Sequence, residues 1–228
     1  LSRASPQAYR FDPDNRWWRR VWQIQMALLE DSRGKYFLGL PSIDPPLDVL
    51  STMRSASGLC TDIIDHPDDV HEMLAHLTEV RHWLNEQIYP PLLEVQGGIV
   101  AGGWGRGRVV PLQCDFSAMI SSKHFREFAM PELTTLANWG DRSWYHLDGP
   151  GALQHLPTIL EIEKVKFVEW RPGAGAPDGL YWQDVWQTIR AAGRGMQMSV
   201  PYDQVEEVIK AWGPKGLFVI TSAPGEEA

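Results

Sequence analysis

Apolar residues recur at helical spacing through Trp17, Trp18, Val21, Trp22, Ile24 and Leu28, which predicts a helix opened by Asp12 or Asp14 and closed at Gly34. Tyr36 to Leu40 is a short apolar run ended by Pro41 and predicts a strand. Pro41 to Leu59, interrupted by Pro45 and Pro46, predicts a long loop or irregular helix carrying Asp44 and Asp48. His66-Pro67-Asp68-Asp69 predicts a helix start, because proline fits a first turn and carboxylates suit the positive end of the helix dipole. Val70, Leu74, Leu77, Trp83 or Leu84 and Ile88 extend one stripe as far as Pro90.

Beyond this helix, short apolar runs alternate with helix-spaced stretches. Gly97 to Trp104 predicts a glycine-bounded strand and Val109 to Cys114 the next. Ser121 predicts the cap of a helix with Phe125, Phe128 and Leu133 inward, kinked or broken at Pro131. Trp144–Leu147, Val165–Trp170, Gly195–Val200 and Gly216–Thr221 predict further strands, with helices from Pro150, Tyr181 and Asp203 between them. About seven strands alternating with helices predict parallel β/α units in a single domain over residues 1–228. A doubly wound dinucleotide-binding sheet carries GxGxxG in its first turn. Gly102 to Gly107 and Gly173 to Gly175 have the wrong spacing and no GxxxxGK[ST] occurs, so no nucleotide cofactor is expected and a (β/α) barrel is preferred.

Composition narrows the partners. Hydrophobic residues make up 43% and charged residues 22%, too apolar a balance for wholesale disorder. The net charge is −8 and the basic clusters are short, which argues against nucleic acid or an anionic membrane as the main partner. Cys60 and Cys114 stand far apart without a CxxC spacing, which fits a reducing, cytoplasmic setting and supports neither a disulfide framework nor a four-cysteine zinc site. No apolar run reaches the ~18–20 residues that span a bilayer. The polar opening has no initiator Met and no secretory pattern, which predicts an N-terminally incomplete chain.

In a (β/α) barrel the reactive groups stand at the C-terminal ends of strands. The predicted strands put Trp104, Gln113 with Asp115, His146 with Asp148, Glu169 with Trp170 and Arg171, Gln197 with Ser199, and Ser222 there. Period-two alternation sets His146 and Asp148 on one strand face, suited to general acid/base work or to two metal ligands. The alternative is a His–Asp hydrogen bond that orders the turn before Gly149. Asp115 reads as a helix cap or a catalyst. Glu169, set in an apolar strand, must find a partner or face a pocket, and Arg171 is at hand to neutralise it. His71 and His76 imitate a zinc helix, but five residues apart they diverge by ~140° and are set aside. The tryptophans of the first helix read as core or interface packing.

Two segments resemble the uroporphyrinogen decarboxylase superfamily. Leu112 to Leu133 (LQCDFSAMISSKHFREFAMPEL) is similar to a strand that leads into ISPxxFxEFxxPxL. Tyr145 to Leu153 (YHLDGPGAL), with Val168 to Gly175 (VEWRPGAG), resembles a subgroup of the same family. The resemblance spans Tyr36 to the C-terminus and implies a (β/α)8 TIM barrel, here lacking its first one or two strands, with the active site in a cleft at the strand C-termini. It implies either a methyltransferase acting with a corrinoid or folate partner or a cofactor-free decarboxylase of uroporphyrinogen or a similar multi-carboxylate. A non-catalytic binding barrel is the third expectation.

In the zinc methyltransferases of the family a His-x-Cys pair and a later Cys hold the metal. His146 matches the His, Asp148 stands where the Cys would be, and Thr221-Ser222-Ala223 lacks the last thiolate. Zinc on His146 and Asp148 is therefore one expectation, and acid/base catalysis by His146, Asp148 and Asp115 the other. Gln113, Glu169, Arg171 and Gln197 are expected to bind a small-molecule substrate between walls formed by Trp104 and Trp170. An incomplete barrel also exposes strand edges, which predicts a homodimer or an unstable monomer.

Overall fold

The computed structural model describes residues 9–177, 179–223 and 225. Asn15, rather than Asp12 or Asp14, opens α1 (Arg16–Ser32) by accepting the Trp17 N–H at 2.9 Å. Asp12 instead accepts the Asp14 N–H and shapes the turn before the helix. Tyr36 to Leu40 is not a strand; one parallel bridge from Gly39 to Val100 is all that forms there. Of the two expectations for Pro41–Leu59, loop or irregular helix, the helical one holds over most of it, as α2 (Pro46–Arg54) and α3 (Ala56–Asp65). Proline at the start of α2 costs no hydrogen bond, since the first N–H groups of a helix have no partner inside it.

α4 (Pro67–Gln96) begins where expected but runs through Pro90 and Pro91. Ile88, Tyr89 and Leu92 are buried on either side of the prolines, and this packing outweighs the lost N–H groups. The glycine-rich stretch that follows is a hairpin, not one strand. β1 (Gly98–Ala101) and β2 (Gly103–Arg106) pair antiparallel about Gly102, whose φ of 71° suits a residue without Cβ.

β3 (Val109–Gln113) starts the main sheet. A short 3₁₀ turn, Asp115–Met119, leads to a continuous helix made of α5 (Ser122–His124), a π-wound turn Phe125–Ala129 and α6 (Met130–Trp139). Ser121 caps it by accepting the His124 N–H. The π turn falls directly before Pro131, where a missing N–H breaks the α pattern. Three more β/α units follow, with β4 (Arg142–Asp148), α7 (Leu156–Ile159), β5 (Val165–Arg171), α8 (Gln183–Ala191), β6 (Gly195–Ser199) and α9 (Val205–Trp212), and β7 (Leu217–Ile220) comes last.

β3 to β7 form one parallel five-stranded sheet whose spatial order is the chain order. Together with the hairpin this is a mixed α/β fold; among the described residues the strands do not close into an eight-stranded barrel. Val110, Leu112, Tyr145, Leu147, Val168, Trp170, Met196 and Met198 point to one face and join Leu133, Leu136, Ile159, Trp186 and Ile189 of the helices in the main core. A second core gathers Leu29, Ile88, Tyr89, Leu92, Ile99 and Val109 beneath α1 and α4. No described helix is long and apolar enough to cross a membrane.

Candidate active site

Alternation along the strands leaves the opposite face of the sheet to a different set of side chains. The register pairs Gln113 with His146, His146 with Glu169, Glu169 with Gln197 and Gln197 with Phe218, so one row crosses all five strands. Asp148 and Arg171 stand opposite one another two residues further on. On the near side of the row lie Pro111, Trp144, Phe167 and Gly195.

The middle part of the row is hydrogen-bonded across β4, β5 and β6. His146 Nδ1 lies 2.6 Å from Glu169 Oε2, while Glu169 Oε1 accepts from Arg171 Nε at 2.7 Å and from Gln197 Nε2 at 2.8 Å. Trp144 Nε1 donates to Gln197 Oε1 at 2.9 Å, which fixes the direction of that amide. Arg171 Nη1 reaches Ser199 Oγ at 2.6 Å. Glu169 is thus a buried carboxylate, its side chain 5% exposed, with three partners; His146 at 24% remains open to solvent on one edge.

The electrostatics follow from this geometry. Burial works against an imidazolium at His146, but the hydrogen bond and charge of Glu169, with smaller help from Asp148 and Asp115, outweigh it and raise its pKa above the usual 6.5. Burial likewise opposes charge on Glu169, yet His146 and then Arg171 hold its pKa below that of an ordinary glutamate. The two shifts agree on an ion pair. Asp115 is pushed up, chiefly by burial and further by the nearby charge of Asp148, although His146 pulls it the other way.

Asp115 is not the cap of the turn it begins. That role belongs to Asp48, whose two oxygens accept the N–H groups of Asp115 at 2.9 Å and Phe116 at 2.8 Å. Burial lifts Asp48 to about 6 in spite of these two bonds. Gln113 Nε2 sits 3.4 Å from Asp115 Oδ2, a long contact that links the row to the turn.

The predicted residues divide clearly. Gln113, His146, Glu169, Arg171 and Gln197 come together, with Asp115 and Asp148 beside them. Trp170 does not join them: Glu169 and Arg171 point to the open face, so the residue between them points to the core, where it meets Trp182 edge-on. Trp104 stands on β2, stacked on Phe37. It lines a cleft of about 640 Å³ together with Gln197 of the row, Trp144, Phe167, Phe218, Arg142 and Lys166, on the side of the row away from Asp148. Ser222 follows the last strand, exposed, and makes none of these contacts.

Two contributors escaped the sequence reading. Trp144 shares His146's face by simple alternation and stands 5.8 Å from its ring. Asp48 acts across 67 residues of chain, and no local pattern marks it. Among the described residues no three His, Cys, Asp or Glu side chains gather about one point, and Cys114 is buried in the core. His146 and Asp148 alone fall short of the three protein ligands that catalytic zinc uses.

No family model, curated protein or solved structure matches this chain.

Proposed function

We propose that this chain belongs to a one-carbon-transfer enzyme of the uroporphyrinogen decarboxylase type, with His146 as the general acid/base. The observation that carries the reading is the 2.6 Å contact between His146 Nδ1 and a buried, three-partnered Glu169. A carboxylate placed there holds a proton on Nδ1 and leaves Nε2 as the atom that gives or takes one. The chain-ordered parallel strands support a barrel arc, because a doubly wound sheet reverses its order at a switch point. A position at the C-terminal half of β4 suits the barrel rule for reactive groups.

The substrate class follows from charge. Glu169 is neutralised within the row, so Asp115 and Asp148 are the carboxylates left to face a ligand, with Trp144 as the aromatic neighbour. A small methylated amine fits them. The amine binds as its ammonium ion; the N–CH3 bonding pair stays on nitrogen as the methyl passes to a nucleophile carried by a corrinoid or folate partner, and His146 Nε2 gives its proton to the neutral amine so released. No step of this reading runs through a metal. Decarboxylation of a porphyrinogen is the second reading, favoured by the neighbouring Asp115 and Asp148, which suit a protonated pyrrole. Its acetate groups, however, need free cations, and Arg171 is already engaged with Glu169 and Ser199.

The test offers a panel of methylated amines with cob(I)alamin as methyl acceptor, read by the absorbance of methylcobalamin, and in parallel a porphyrinogen read by CO2 release. Methylcobalamin should form, and His146→Ala should slow it about 100-fold or more, the usual weight of a general acid or base. CO2 release instead would move the assignment to the decarboxylase. Turnover that His146→Ala leaves intact would remove His146 from the chemistry.

A further inference from the structure

The cleft on the side of the row away from Asp148 measures about 640 Å³, within the ~300–1,000 Å³ typical of small-molecule pockets. Four aromatic rings, Trp104, Trp144, Phe167 and Phe218, line it. Their neighbours position them. Trp104 stacks on Phe37 at 5.3 Å, and the Trp144 indole N–H is tied to Gln197 Oε1. Phe167 lies where a Cβ at Gly195 would come within 2.4 Å of its ring, and Phe218 lies where a Cβ at Gly103 would stand 3.2 Å away. Rings already held in place lose little freedom when a flat ligand packs on them.

The polar part of the lining is cationic. Arg142 shares the open face of β4 with Trp144 by alternation. Lys166 reaches the cleft through a fault in register. Ser143 pairs with Val165 and Trp144 with Phe167, so Lys166 is the extra residue of a β-bulge and has no opposite number on β4. Strict alternation from Phe167 would send it to the helix-covered face, and a bulge is a common device for re-aiming a side chain. Neither the Arg142 nor the Lys166 side chain has an ion-pair partner among the described residues. Asp141 also lines the cleft, but its Oδ2 accepts the Arg108 N–H at 2.8 Å. Two cations against one carboxylate leave a single net positive charge, in a chain whose own net charge is −8.

We propose that this cleft binds a flat aromatic molecule bearing one carboxylate, its ring packed on Trp104 and Trp144 and its carboxylate at Arg142 and Lys166. Contact with the aromatic faces supplies the affinity, and the cations select the charge. Trp144 and Gln197 belong to both the row and the cleft, so the two sites adjoin. Their charged groups differ, since Asp115 and Asp148 lie beyond the row. The inference rests on the cleft alone and is independent of the proposed reaction.

Equilibrium dialysis of the whole chain against naphthoate tests it, beside naphthalenemethanol and naphthylmethylammonium, which keep the ring and change the charge. Naphthoate should bind with a Kd below about 1 mM, the alcohol about fivefold more weakly and the ammonium more weakly still. Arg142→Gln with Lys166→Gln should reduce naphthoate to the affinity of the alcohol, with the melting temperature unchanged because both residues are exposed. Trp104→Ala should weaken naphthoate and the alcohol alike. No uptake of naphthoate up to about 5 mM would overturn the proposal. So would equal affinity for the three ligands, or wild-type affinity for naphthoate in the double variant or in Trp104→Ala. A naphthoate affinity that falls as the protein is concentrated from about 10 µM to about 500 µM would overturn it too, because a second copy of the chain would then fill the cleft.

Discussion

Glu169 does more than orient a histidine. Its two oxygens take three hydrogen bonds from three strands, so losing the carboxylate leaves Arg171, Gln197 and His146 without their shared partner at once. Breaking a fully buried ion pair costs about 3–5 kcal/mol, and the partial exposure of His146 and Arg171 lowers that figure. Glu169→Ala should therefore destabilise the protein by about 2–3 kcal/mol in urea unfolding, whereas Glu169→Gln, which keeps the shape, should lose less.

The pH dependence has a definite sign. The contribution of Glu169 is present above its unfolded pKa and is lost as pH falls through its lowered folded value. That of His146 is complete below about 6.5, the unfolded value, and is lost as pH rises through the raised folded one. The pair should thus stabilise the protein most between about pH 4.5 and 6.5, and the difference in unfolding free energy between wild type and His146→Ala should shrink above that window.

Asp48 belongs to the element scale, because it ties α2 to the turn that carries Asp115. Both of its bonds go to backbone N–H groups of one 3₁₀ turn, as a cap's do. Asp48→Ala should cost about 1–2 kcal/mol in chemical denaturation. A loss of a few tenths would show that the turn is held by Phe116 packing instead.

The β1–β2 hairpin meets the sheet with equal economy of space. A Cβ at Gly102 would lie 2.6 Å from Gln197 Oε1 and 2.8 Å from the Trp144 ring, and the φ is positive as well. Gly102→Ala should lower stability by about 1–3 kcal/mol and perturb Trp144 fluorescence. The main-sheet strands were legible in the sequence because each is a short apolar run between turn residues, and alternation in β4 and β5 was enough to find His146 and Glu169. Alternation also rules Trp170 out of the row, since three consecutive strand residues cannot share a face. The helices over Pro46–Asp65 were legible only as a choice between loop and irregular helix, because tertiary packing of Leu47, Leu50 and Leu59 rather than local propensity forms them.

At the scale of the molecule, one face of a chain-ordered parallel sheet is sealed by helices and the other carries a bonded polar row. β4 and β5 lie inside the sheet and hold most of that row, while β7 forms one edge and the hairpin, though packed on the sheet, is paired as a separate two-stranded sheet. Amide hydrogen exchange should accordingly be slowest in β4 and β5 and fastest in β1, β2 and β7. Uniform protection across all seven strands would contradict a sheet with an open edge.

The central claim is that a buried Glu169 makes His146 a charged, oriented proton carrier. The most direct test follows the imidazole Cε1–H resonance of His146 by NMR from pH 4 to pH 9, in wild type and in Glu169→Gln. The account predicts a midpoint above 6.5 in wild type that drops below 6.5 in the variant, where burial acts on the imidazolium with its main counterweight removed. A midpoint that is the same in both proteins, or one below 6.5 in wild type, would contradict it.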